Sequence, residues 1–291
     1  MGKKGFLIDM DGVICRGGLP IPGAIEFVSK LKKSGHPFLL LSNNSQGAVD
    51  VIVSGLRGFG FNVKEEDVLT SAMATASYLT MSKLIGTAFV VGQGGVLEEL
   101  QRVGYKIVGA KPDYVVIGEG YIGLENVGKV VDMVLSGSKL IATNLVSESF
   151  ESELGESSVD SAVFIAMVER ATGRKAFSVG KPSPFMMRMA RKKLQLTTGE
   201  TVMVGDTMET DILGASVMGF TTVLALSGVT QREGLADYGY GPDFVVDSVQ
   251  DLLQAEMFNG VIARKGIERL SPAVQKHRLS VLFQRASALR C

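Results

Sequence analysis

Tryptophan is absent from this sequence, and cysteine and histidine occur only twice each. Cys15 and Cys291 are too few for a disulfide framework or a cysteine-based zinc site, and His36 with His277 cannot build a histidine metal cluster. A reduced cytoplasm is the compartment to expect. Neither sign of charge is in excess, since 30 Lys and Arg offset 30 Asp and Glu for a formal net charge of zero at pH 7. That balance argues against attraction of the whole surface to a nucleic-acid polymer or an anionic membrane, and for a small-molecule partner. Long hydrophobic runs are missing too. No stretch reaches the roughly 18 consecutive apolar residues of a membrane-spanning helix. The first apolar run, Phe6-Leu7-Ile8, breaks at Asp9, far short of a signal-peptide core.

What the chain does have is core-forming material: 46% of its 291 residues are hydrophobic, enough for two domains and too many for a disordered chain. Apolar runs of strand length alternate with segments of helical period, the pattern of a parallel sheet covered by helices. Expected strands are Phe6–Ile8, Phe38–Leu41, Thr87–Val91, Tyr114–Ile117, Leu140–Ala142, Phe177–Val179, Val202–Val204 and Thr221–Leu226. Expected helices are Pro22–Lys33, Gly47–Gly58, Val96–Val103, Leu124–Ser136, Pro184–Leu194 and Asp211–Met218. The fold class is therefore α/β, a doubly wound parallel-sheet (Rossmann-like) core carrying an inserted smaller α/β unit. The strand rhythm divides the chain into a first part of the core at 1–80, the insertion at 81–175, a second part at 176–258 and a tail at 259–291. Phe177–Val179 is expected to return the chain to the first sheet. From residue 261 onward seven basic residues face Glu268 alone, and Val274, Val281, Leu282 and Leu289 could share one helical stripe, so the tail is expected to be helical.

Four segments at strand ends carry chemistry. Asp9-Met10-Asp11-Gly12 follows the first strand, where residues i and i+2 of an extended chain emerge on one side at the end that binds ligands in open α/β sheets. The same residues also suit a turn. Ser42-Asn43-Asn44-Ser45 closes the second strand with a hydroxyl and amides that can hold anionic oxygens or cap a helix. Gly180-Lys181-Pro182 sets an ammonium before a helix begun by Pro184, and Gly205-Asp206-Thr207 leads to Asp211 at the next helix mouth, where an acid could equally be a cap.

The order D-x-D-G, S-N-N, G-K-P, G-D-x-x-x-T-D resembles the haloacid dehalogenase-like superfamily of aspartate-nucleophile phosphatases, over residues 5–255 or so. The inserted unit resembles the cap of its NagD-like and 4-nitrophenylphosphatase branch. The resemblance implies a Mg²⁺-dependent phosphomonoesterase working through an aspartyl-phosphate. Asp9 would be the nucleophile and Asp11 the general acid and base. Ser42, Asn43 through its backbone and Lys181 would hold the phosphate; Asp9, the Asp11 carbonyl and Asp206 would hold Mg²⁺, with Asp211 supporting its outer shell. Asn144, Glu148 and Asp160 of the cap would touch the leaving group, and a homodimer through the cap is implied as well.

Charge counting agrees that a cation is needed. With Asp11 protonated, two carboxylates and a phosphate dianion confront one ammonium, and each like-charge pair about 4 Å apart costs about 4 kcal/mol at an effective dielectric near 20. A dehalogenase has no use for Asp11 or Asp206. A phosphorylatable switch domain pairs similar groups with Mg²⁺ but lacks the insertion and does not turn over. A nicotinamide oxidoreductase is disfavoured because Leu97 stands where Gly92-x-Gly94 would need its third glycine. In the cap, Ala142-Thr143-Asn144 is followed by Leu145-Val146 rather than the branch's usual A-T-N-x-D, which leaves the small phosphorylated substrate (a nucleoside monophosphate, a sugar phosphate or a cofactor phosphate) open.

Overall fold

The computed structural model describes residues 3–120, 122–145, 160–253 and 268–269. Its contacts divide the chain into two units, one of Met1–Leu41, Arg57–Asn62 and Ala190–Cys291, the other of Ser42–Leu56 and Val63–Met189.

The first unit is built on a parallel sheet. Strands Phe38–Ser42, Gly5–Asp9, Thr201–Gly205, Thr221–Ala225 and Phe244–Val246 lie side by side in that order, with Glu268–Arg269 antiparallel on the last. Every residue of Gly5–Asp9, Phe38–Ser42 and Thr201–Gly205 is buried, which is why these strands read as unbroken apolar runs rather than alternating ones. Helix Ala24–Lys33 turns Ala24, Phe27, Val28 and Leu31 inward and packs against the short helix Val249–Leu252. Gly23, at φ +81, lets that helix begin where a side chain would meet Gln250.

The second unit has its own parallel sheet, in the order Phe177–Ser178, Lys139–Ala142, Tyr114–Ile117, Thr87–Val91, Lys106–Ile107. Helices Asn126–Leu135 and Ser161–Thr172 pack on each other, and Val130, Met133, Phe164 and Ile165 close a core over Val115 and Ile117. All these strands fall between Phe38–Ser42 and Thr201–Gly205 in the chain, so the unit is an insertion. The α/β class and the inserted second sheet are both as expected.

Two expected elements differ, and helices Ser71–Ser82 and Ser161–Thr172 and strand Phe244–Val246 are among those that the sequence pattern did not mark. Phe177–Ser178 does not rejoin the first sheet but pairs with Ile141 and Ala142 in the second, a choice that a half-exposed pair of residues cannot reveal in sequence. The helix expected at Asp211 is preceded by a π-helical turn, Met208–Ile212, before Leu213–Val217. Helix Ser71–Ser82, capped by Thr70, has no apolar stripe because it is rich in Ala and Ser and buries Ala72, Ala74, Thr75 and Ala76 alike. In the tail, the two described residues Glu268–Arg269 form a strand; the expected helical stripe from Val274 to Leu289 lies outside the described residues. Among the described residues no helix is long and apolar enough to cross a membrane.

Phe27 is fully buried and meets Phe6 edge to face at 6.1 Å. Phe27→Ala should cost about 3–5 kcal/mol of stability in urea unfolding; a loss below 1 kcal/mol would contradict this packing.

Candidate active site

In the first unit the sheet delivers carboxylates at its strand ends. Ile8 is level with Val204, so Asp9 and Asp206 leave neighbouring strands at nearly the same height. Asp9, Asp206 and Asp211 are all buried, and one carboxylate oxygen from each lies within 4.8 Å of the other two. Each carboxylate also takes a backbone N–H: Asp9 Oδ1 from Met10 at 2.8 Å, Asp206 Oδ2 from Val229 at 2.7 Å and Asp211 Oδ2 from Thr207 at 3.2 Å. Thr207 Oγ1 donates to Asp206 Oδ1 at 3.1 Å. Asp211 reaches the cluster because the π turn carries it back over the strand end, and because Gly205 has no Cβ; one there would sit 2.2 Å from Asp211 Cβ. Three oxygen donors at this spacing fit a hard divalent cation of the Mg²⁺ type.

Asp11 is placed differently. The strand ends at Asp9, the chain turns so that Met10 O accepts from Ile14 and Cys15 N–H groups, and Gly12 takes φ +75. Asp11 therefore sits in the turn, exposed, bridged to Cys15, and its carboxyl is not part of the three-carboxylate cluster. Alternation along an extended chain does not reach it. Burial, and then Asp11 beside it, push the Cys15 thiol up to about 11, so this cysteine stays protonated.

In the second unit the predicted anion-binding residues form a buried braid. Asn43 Oδ1 accepts from Lys181 N–H at 2.7 Å and Asn43 Nδ2 donates to Lys181 O at 3.1 Å, so the amide grips both polar backbone groups of the lysine. Ser42 Oγ accepts from Asn44 N–H at 3.0 Å, and Ser71 Oγ donates to Asn43 O. Lys181 is 1% exposed. Gly180 makes the grip possible, since a Cβ there would lie 2.7 Å from Asn43 Oδ1 and 2.4 Å from Thr143 O. Asn44 does what a cap would do, accepting from Gln46 and Gly47 N–H groups.

Glu119, which no sequence signal marked, joins this braid. Its Oε2 accepts from Ser45 N–H at 2.8 Å, its own N–H donates to Ser45 Oγ, and Thr143 Oγ1 donates to the same hydroxyl. Burial raises its pKa, against hydrogen bonds from Ser45 and Asn144 that lower it. Asn144 is thus buried and engaged with Glu119. Asp160 caps helix Ser161–Thr172 through Ala162 N–H at 2.7 Å, and Glu148 lies outside the described residues. The Gly92–Gly95 segment is a tight turn into helix Gly95–Arg102; a Cβ at Gly94 or Gly95 would lie within 2.6 Å of the Gln46 or Gly47 carbonyl, so close backbone packing explains its glycines.

A family model described as haloacid dehalogenase-like hydrolase matches residues 6–106, and a second, HAD-hydrolase-like, matches 178–252. The ribonucleotide monophosphatase NagD of Escherichia coli (strain K12) is 33% identical over 255 residues, 87% of this chain and 99% of that protein. The chain belongs to the haloacid dehalogenase-like hydrolases. Among solved structures this hydrolase is similar to p-nitrophenyl phosphatase from Archaeoglobus fulgidus, 35% identical with a TM-score of 0.80, covering 87% of this chain and 98% of that one. It is also similar to a glycerol phosphate phosphatase from Mycobacterium tuberculosis solved in complex with magnesium, 25% identical with a TM-score of 0.74, covering 86% of this chain and 76% of that one. The resemblance to the NagD-like branch is borne out.

Removing the Asn43 amide leaves a buried Lys181 N–H without its acceptor. Asn43→Ala in this hydrolase should lower stability by about 1–3 kcal/mol, and Asn43→Asp, which sets a carboxylate against Lys181 O, should be no better. Unchanged urea midpoints in both variants would contradict the grip.

Proposed function

We propose that this hydrolase is a Mg²⁺-dependent phosphomonoesterase that works through an aspartyl-phosphate on Asp9. The observation that carries this reading is the convergence of buried Asp9, Asp206 and Asp211 at adjoining strand ends. Asp9 is the nucleophile; Met10 N–H on Oδ1 fixes its carboxylate, so little reorganisation precedes in-line attack on phosphorus. Asp11, exposed in the turn, donates a proton to the leaving alkoxide as the ester bond breaks, then accepts one from the water that cleaves the Asp9 acyl phosphate. Asp9, the Asp11 carbonyl and Asp206 hold the metal, and Asp211 supports its surroundings. When bound, the ion offsets the charge gathered by carboxylates and phosphate together. Ser42, the Asn43 backbone and Lys181 hold the phosphoryl oxygens, and the Asn43 side chain serves them by fixing Lys181.

These groups contact only phosphate and metal, so the choice among leaving groups falls to the insertion, taken as a cap over residues 81–175 between core segments 1–80 and 176–258. Asn144, Glu148 and Asp160 of the cap touch the leaving group in this reading, with Asn144 engaged with Glu119 and Asp160 with a helix N-terminus. The substrate is a small phosphorylated metabolite, a nucleoside monophosphate or a sugar or cofactor phosphate. A cytoplasmic homodimer through the cap completes the reading, and a monomer in light scattering would remove the dimer.

Asp9→Asn should abolish steady hydrolysis of 4-nitrophenyl phosphate while the circular dichroism spectrum stays unchanged, and Asp11→Asn should lower kcat by about 10²–10⁴-fold. EDTA should stop the wild type and added Mg²⁺ restore it. Near-normal turnover by folded Asp9→Asn, or turnover without metal, would refute the assignment; a single burst of product without steady turnover would favour a phosphorylatable switch.

A further inference from the structure

The loop that follows strand Thr221–Ala225 contains no titratable residue from Ser227 to Thr230, yet Val229 and Thr230 bond to Asp206 and Ser227 bonds to Gly12. Val229 turns its side chain to solvent and its N–H onto Asp206 Oδ2, 2.7 Å away. Thr230 is buried and bonds twice: its N–H donates to Asp206 O at 3.1 Å, and its Oγ1 accepts from Met208 N–H at 3.2 Å, tying the strand end to the π turn that carries Asp211. Ser227 Oγ donates to Gly12 O at 2.7 Å. Gly228 fills the remaining side. A Cβ on Gly228 would sit 1.9 Å from Asp206 Oδ2, and one on Gly12 would sit 2.3 Å from the same atom, so the carboxylate lies against two bare backbones.

We propose that Ser227–Thr230, with Gly12, is the positioning element of the metal site: it sets the orientation of Asp206, and so the affinity for the divalent cation, without touching the ion. This rests on the reading of Asp206 as a metal residue. The chemistry is that of outer-shell partners elsewhere, in which donors fixed by the backbone decide where a ligand oxygen points. Gly228 and Thr230 are positioning residues, since they act only through Asp206 and the turn from Thr207 to Ile212.

The test is Mg²⁺ binding itself, by isothermal titration calorimetry and by the rise in Tm on adding Mg²⁺ to metal-free full-length protein. Gly228→Ala, which must push Asp206 aside, should bind Mg²⁺ about 10–100-fold more weakly than wild type. Thr230→Val, lacking the Oγ1 acceptor, should weaken Mg²⁺ in the same direction, and Thr230→Ser should restore it. The Thr230 pair decides the matter if Gly228→Ala does not fold. Mg²⁺ affinity within twofold of wild type in folded Gly228→Ala, or in Thr230→Val where Gly228→Ala does not fold, would overturn the proposal. So would equal weakening in Thr230→Val and Thr230→Ser. A wild type that takes up no Mg²⁺ would instead overturn the metal reading beneath it.

Discussion

Electrostatic crowding governs the first unit. Three buried carboxylates whose oxygens lie within 4.8 Å of one another repel, and each such pair costs about 4 kcal/mol at an effective dielectric near 20. The chain offsets part of the cost with one backbone N–H per carboxylate, from Met10, Val229 and Thr207. Those donors come from three different segments, and their convergence requires the parallel register that sets Ile8 level with Val204. The sheet, the π turn and the glycines at 12, 205 and 228 can all be understood as ways of bringing like charges together and holding them until a cation binds.

The second unit meets a milder version of the same problem. Lys181 is almost fully buried, its backbone N–H and carbonyl are both gripped by the Asn43 amide, and Gly180 beside it lies close to the Thr143 carbonyl. Specificity of position here comes from hydrogen bonds that only one geometry satisfies, with Glu119, Ser45, Thr143 and Asn144 forming a continuous set.

Much of this was legible in the sequence because apolar runs such as Phe38–Leu41 and Val202–Val204 end abruptly in Ser42, Asp206 or their like, and a strand buried on both faces leaves few other places for polar groups. What was not legible depended on geometry without a local signal. Phe177–Ser178 is too short to show its sheet, and Ser71–Ser82 is buried too evenly to show a helical stripe. Period two predicted a shared face for Asp9 and Asp11, but the chain leaves extended backbone at Met10. Asn43 read as a backbone contributor, and its side-chain grip on Lys181 carried no signal, since a partner 138 residues away leaves no trace in local pattern. Gly228 and Glu119 carried no signal at all.

That separation of 138 residues has an evolutionary consequence. The Asn43 grip on Lys181 closes a long loop, and the entropy of closing a loop grows only logarithmically, about 0.6 kcal/mol for each doubling of length. Once both ends are tied, a change in the length of the intervening segment adds little to the closure cost, because that cost depends on length only through its logarithm. A lineage could therefore change the length of its inserted unit at little entropic cost, while Ser71 and Thr143, which touch the grip or its Gly180 neighbour, stay fixed.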